Sequence, residues 1–125
     1  MNEELKMKSK NVLKDKSFTF SIHIVEQYKR LTESKEFVMS KQLLRSGTAI
    51  GALIREAEFG QSRADFINKL SIALKEANES YYWLELLHRT NYISDEYFER
   101  LAAHINELIS MLVASIKTSK LALNK

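Results

Sequence analysis

The chain has no cysteine, no proline and only three glycines in 125 residues. Without cysteine neither a disulfide framework nor a thiolate metal site can form, which suits a reducing compartment and sets the expectation of a cytoplasmic protein. Without proline, and with Gly47, Gly51 and Gly60 as the only glycines, the chain reads as all-helical with short loops. No apolar run approaches about 18 residues, so no membrane span is expected. The opening MNEELKMKSK lacks the hydrophobic stretch of a secretory signal, so none is expected. Net charge is modest at +3. What is present is 45% hydrophobic residues in a length that fits one domain, able to bury about two-thirds of the surface its unfolded chain exposes.

The most informative stretch runs from Ser62 to Arg89. Ser62 suits an N-cap and Asp65 completes a weak capping box, so a helix is expected over 62–90, roughly 40 Å long at 1.5 Å per residue. Phe66, Leu70, Ala73, Leu74, Ala77, Tyr81, Leu84 and His88 follow helical spacing and form its expected core stripe. Ile72, Trp83 and Leu86 point roughly 160 to 220° away from Leu70 at 100° per residue, with Tyr82 at their edge. That second apolar face is expected to be an oligomer interface formed by Ile72, Tyr82, Trp83 and Leu86, unless a fourth helix wraps far enough to cover Trp83.

Three further helices are expected, over about 18–33, 40–59 and 94–119. In the first, Ser17 to Ile24 alternates polar and apolar like a strand, but Ile24, Val25, Tyr28 and Leu31 continue at helical spacing, with an extended segment allowed near Phe18 and Phe20. The second, with Ser40 as its expected cap, carries Leu43, Leu44, Gly47, Ile50, Leu53, Ile54 and Ala57. Its small residues Ser46, Gly47, Ala49, Gly51 and Ala52 predict the tightest helix crossing, because each helical glycine costs about 1 kcal/mol relative to alanine. The fourth opens at Ser94 with acids in its first turn and ends in Lys117 and Lys120, both matched to the helix dipole. The expected fold is an antiparallel up-down-up-down four-helix bundle over 17–120, with a basic N-terminal arm at 1–16 and a frayed tail at 121–125.

Residues 1 to 16 hold five lysines against three acids. Lys6, Lys8, Lys10, Lys14 and Lys16 could contact phosphates, although lysine-rich termini are most often simply solvated. Glu85 and His88 form a Glu-x-x-His pair of the kind used in di-iron bundles. Such sites need two of these motifs, and His23 and His104 are preceded at that offset by Phe20 and Leu101. His88 is therefore expected at the core edge, bonded to a carbonyl or carboxylate. No metal, no cofactor and no catalytic residues are expected, and the protein reads as a non-enzyme.

Ser40 to Glu56, SKQLLRSGTAIGALIRE, then Ala57, Ser62-Arg-Ala-Asp-Phe66, Lys69, Ile72-Ala-Leu-Lys-Glu-Ala77, Glu79 and Tyr82-Trp-Leu84 resemble the 23S rRNA intervening sequence protein family. The resemblance is ungapped and spans residues 18 to 120 in outline. Two positions depart from it: Leu53 stands where members commonly carry asparagine, and Ser80 where threonine is usual. The resemblance implies a four-helix bundle that assembles as a homo-oligomer, a five-fold barrel in related proteins. It also implies RNA as a partner, since related accessory proteins of diversity-generating retroelements bind RNA and a reverse transcriptase.

Among the residues that carry the resemblance, Arg45, Glu56, Lys75, Glu76 and Glu79 are charged and sit among apolar neighbours, so an interhelical ion network is expected. Two functions of different class follow. One is a homo-oligomeric, pentameric scaffold that binds RNA or another nucleic acid through Lys6, Lys8, Lys10, Lys14, Lys16, Lys35, Lys41, Arg45 and Arg55. The other is a protein–protein assembly module with no nucleic-acid partner. Neither reading involves a membrane.

Overall fold

The computed structural model describes the backbone of residues 3–124 and the side chains of residues 12–124. Its four helices are α1 (Glu3–Glu33), α2 (Met39–Glu58), α3 (Arg63–Arg89) and α4 (Asp95–Leu123). Among the described residues there is no strand, and no helix is long and apolar enough to cross a membrane.

Cross-helix contacts fix the directions. Lys14 meets Glu58 and Ile24 meets Gly47, so α1 and α2 run antiparallel. Arg45 meets Glu79 while Glu56 meets Lys69, which makes α2 and α3 antiparallel. Tyr81 and His88 both touch Phe98 across the α3–α4 turn. Lys16 meets Glu107 and Arg30 lies over Tyr97, so α4 returns antiparallel along α1. The chain is an up-down-up-down four-helix bundle.

Two of the three turns close without glycine. Lys35 and Asn91 adopt positive φ, 63° and 69°. At the first, Glu36 N–H donates to the Leu31 carbonyl (2.9 Å) and Lys35 N–H to that of Thr32 (3.0 Å). At the second, Tyr92 N–H donates to Leu87 (2.9 Å) and Asn91 N–H to His88 (3.1 Å). This paired pattern satisfies the last carbonyls of a helix through a left-handed residue, usually glycine.

Helix starts are capped by side chains. Ser62 Oγ accepts from Asp65 N–H (3.0 Å) and Ser94 Oγ from Tyr97 N–H (3.3 Å), at the positions the sequence predicts. The start of α2 differs from expectation. Ser40 is not the cap: it lies inside the helix, and its hydroxyl donates back to the Glu36 carbonyl. The buried Glu36 carboxylate instead accepts from Val38 N–H (3.2 Å), Met39 N–H (2.9 Å) and Ser40 N–H (2.6 Å).

Two boundaries also move. Helix α1 begins at Glu3 rather than near Phe18, so residues 3–16, read as an arm, belong to it, and Phe18 and Phe20 are helical. Helix α4 continues to Leu123 rather than stopping near 119, so most of the expected tail is helical. The alternation in SFTFSIHI is one residue pattern seen from two helical faces: Phe20 and Ile24 are fully buried, while Phe18 and Ile22 are exposed.

The core joins Phe20, Ile24 and Leu31 of α1 to Leu43 and Ile50 of α2, Leu70, Leu84 and Leu87 of α3, and Ile105, Leu108 and Leu112 of α4. On α3 the buried line is Ile67, Leu70, Ala73, Ala77, Ser80, Leu84 and Leu87. It is centred slightly towards α2 relative to the expected stripe. Phe66, Leu74 and Tyr81 are only partly buried against it. Likewise Val25 is exposed and Tyr28 half-buried, so neither belongs to the core.

Candidate functional site

The outer face of α2 lies between two apolar strips. On α1, Phe18, Ile22 and Val25 recur at i, i+4 and i+7 and are exposed, a spacing that keeps them on one helix face. The strip lies towards α2, because the Arg55 guanidinium sits 4.9 Å above the Phe18 ring. On α3, Ile72 and Tyr82 are exposed, while Trp83 and Leu86 are half-buried. This strip also leans towards α2, since the Trp83 indole N–H donates to Glu79 Oε2 (3.0 Å) and that carboxylate binds Arg45 of α2. Between the strips α2 presents Thr48, Ala49 and Ala52, all small and incompletely buried. The result is a shallow trough floored by small residues and rimmed by large apolar ones.

The charged residues in this region are mostly paired. Arg45 donates through Nη1 to Glu76 (3.0 Å), through Nη2 to Glu79, and through Nε to Gln42 (3.4 Å). The Glu79 hydrogen bond and the two nearby carboxylate charges raise the Arg45 pKa further, against some desolvation. Glu79 is held below the ordinary carboxylate range by the Trp83 N–H first and then by Arg45, against partial desolvation. Lys75 adds its charge to Glu79 from the same helix. Glu56 does not join this cluster; it pairs with Lys69 (3.4 Å), one end of the expected network having turned towards the α2–α3 loop.

The candidate nucleic-acid contacts scatter. Lys14 pairs with Glu58 (3.8 Å), Lys16 with Glu107, and Arg45 with the two α3 glutamates. Lys35 lies in the α1–α2 turn and Lys41 near the start of α2, both exposed. Arg55 is committed to the Phe18 ring. The side chains of Lys6, Lys8 and Lys10 lie outside the described residues.

His88 is half-buried, stacks on Phe98 with ring centroids 4.2 Å apart, and bonds through Nε2 to Asp95 Oδ1 (2.7 Å). That is the core-edge histidine expected from the sequence. Glu85 faces Arg89 of its own helix at 4.0 Å. Among the described residues no three histidine, aspartate or glutamate side chains converge as a metal site would require.

The profile of the 23S rRNA-intervening sequence protein family matches residues 9–114. The chain belongs to that family. A solved protein of unknown function, from the S23 ribosomal protein family of Bacteroides thetaiotaomicron VPI-5482, is similar to this family member at 62% identity. The alignment covers 87% of this chain and 98% of that one, with a TM-score of 0.86. No curated protein matches the chain.

Of the residues in the trough, sequence reading of this intervening sequence family member found the α3 strip and missed the α1 strip. The signal for Phe18, Ile22 and Val25 was their i, i+4, i+7 spacing. It was obscured because residues 17–24, which include Phe18 and Ile22, also alternate with period 2.

Proposed function

We propose that the chain is a non-enzymatic, homo-oligomeric scaffold, closing as a pentameric ring in the cytoplasm, that holds RNA or another nucleic acid. The observation that carries the oligomer is the trough. Phe18 (50% exposed), Ile22 (45%), Ile72 (37%) and Tyr82 (56%) stand on the two helices beside α2, and large exposed apolar side chains gathered on one side of a protein favour an interaction site there. The nucleic-acid part rests on the family's description and on Lys35 and Lys41, which are exposed and have no ion pair among the described residues.

A second reading, a protein–protein assembly module without nucleic acid, is favoured by the pairing of Lys14, Lys16 and Arg45 to carboxylates of the same chain. Each such pair must open before the cation can neutralise a phosphate.

The test is absolute mass by light scattering, followed by titration with labelled RNA at about 50 and 200 mM salt, the range over which phosphate-driven binding falls steeply. A closed oligomer whose RNA affinity drops with salt supports the scaffold. A closed oligomer indifferent to RNA supports the assembly module. Ile22→Glu and Ile72→Glu, at exposed positions, are expected to lower the mass to that of one chain with the helices retained. A monomeric wild type overturns both readings.

A further inference from the structure

The seam between α1 and α4 differs from the others in carrying two facing histidines. His23 of α1 and His104 of α4 have ring centroids 5.6 Å apart, tilted by 45°. The fully buried Phe20 meets His104 edge-on at 6.1 Å. Around the pair, Lys16 of α1 is bound to Glu107 of α4, and Glu26 lies 3.5 Å from His23 Nδ1 with its own side chain largely in water. No titratable group of α2 or α3 is among those acting on His104.

Neutral imidazoles can share this seam with Phe20 as flat, partly apolar rings. Two imidazolium rings cannot do so without cost, because like charges at this separation repel and the Lys16 ammonium adds to the repulsion. The available counter-charges are weakly placed: Glu107 already binds Lys16, and Glu26 is solvated. Arg30 also spans the seam over the Tyr97 ring at 4.5 Å, a contact that does not respond to pH in the histidine range.

We propose that the α1–α4 seam is a proton-operated latch, in which protonation of His104, packed against His23 and Phe20, loosens α1 from α4 while α2 and α3 stay packed. The direction agrees with the environment of His104. Burial first, then the His23 charge and Lys16, hold its pKa below the ordinary 6.5, with Glu107 opposing. A histidine depressed in the closed state stabilises that state fully above its ordinary pKa. The contribution is lost as pH falls through that value towards the lowered one. The loss begins as pH falls below 6.5, above the range in which carboxylates titrate, so the latch starts to respond before general acid unfolding. The inference is independent of what the trough binds.

Hydrogen exchange on the full chain tests it, read by peptide at about pH 7.5 and 5.5 after correction for intrinsic rates, a pair of values that brackets histidine titration. Protection of residues 16–30 and 97–111 is expected to fall by up to about tenfold at the lower pH, with α3 unchanged. In His104→Gln that fall is expected to vanish. His23→Gln, which removes the facing ring instead, repeats the test if the first variant does not fold. An equal loss over all four helices, an unchanged seam, or a fall that persists in the folded variant overturns the latch.

Discussion

The seams that α2 makes and the seam between α1 and α4 are built from different materials. Against α1, α2 offers Gly47 and Gly51 to Ile24, Ser17 and Ser21. Against α3 it offers Ser46, whose buried hydroxyl accepts from Ser80 at 2.9 Å. Small residues let the backbones approach at the centre of these seams, while their charged pairs, Lys14 with Glu58 and Arg45 with Glu76, lie at the rims. The α1–α4 seam is spanned by rings and long side chains: Phe20, His23 and His104, Arg30 over Tyr97, and Lys16 with Glu107. Close-packed seams fix geometry because little can shift without overlap. A seam of rings and charges can change with its protonation state, so rigidity and response are assigned to opposite sides of one bundle.

The largest expected effect breaks the contrast on the ring side. Phe20 is fully buried and is the apolar centre of the α1–α4 seam. Phe20→Ala is expected to cost about 3–5 kcal/mol in denaturant unfolding, the range for removing a buried aromatic ring. A loss under about 1 kcal/mol would mean the seam contributes little to stability, and the asymmetry would then be one of packing alone. On the close side, a Cβ at Gly47 would stand 2.9 Å from Ile24 Cγ1 and 3.0 Å from Cγ2. Ile24 is fully buried and branched at Cβ, so it has no free rotamer to retreat into. Gly47→Val is expected to cost about 1–3 kcal/mol through overpacking.

The sequence carried the helix number, the caps at Ser62 and Ser94, and most of the core, because those depend on spacing and on single side chains. It did not carry the start of α1, where residues 3–16 read as a solvated lysine-rich terminus although Leu13, and Ser17 just beyond it, are buried. The ends of α1 and α3 fell within a residue of expectation, although the left-handed residues that follow, Lys35 and Asn91, are not glycine. In the trough, the α3 strip was legible from the angle between Trp83 and Leu70. Its floor was not, since which helix lies between two apolar strips is a fact of packing. Arg45 was legible as a network residue, but its partners depended on antiparallel register: 45 faces 76 and 79, while 56 faces 69.

The turn leading into α2 sharpens the comparison by pH. Burial pushes the Glu36 carboxyl up, but the N–H groups of Met39, Ser40 and Val38 outweigh it and hold the pKa below the ordinary 4.5. With its folded pKa depressed, Glu36 stabilises the fold above 4.5 and loses that contribution as pH falls through the lowered value. Glu36→Gln is expected to cost about 1–2 kcal/mol at neutral pH, since the amide replaces one acceptor oxygen with a donor facing an N–H. In chemical denaturation across pH, the gap between wild type and variant is expected to close below pH 4.5 and to stay constant above it. Because the histidine seam responds at higher pH, the two sides of the bundle separate on a single titration.

The smallest effect has the opposite sign and comes from the neighbouring glycine. Gly47 and Gly51 lie one turn apart on α2, and on sequence grounds both promise close approach. At Gly51, however, an added Cβ would meet Ser21 Oγ at 3.4 Å and the Ser17 carbonyl and hydroxyl at 3.5 Å, which is ordinary van der Waals contact. The helix-propensity cost of glycine is therefore not offset there by tighter packing. Gly51→Ala is expected to stabilise the bundle by up to about 1 kcal/mol in thermal or denaturant unfolding, the gain from restricting the unfolded backbone in a helix interior. A destabilisation instead would mean that α1 and α2 approach at Gly51 as closely as at Gly47. The tight part of the seam would then span two turns of α2 rather than the single contact of Gly47 with Ile24.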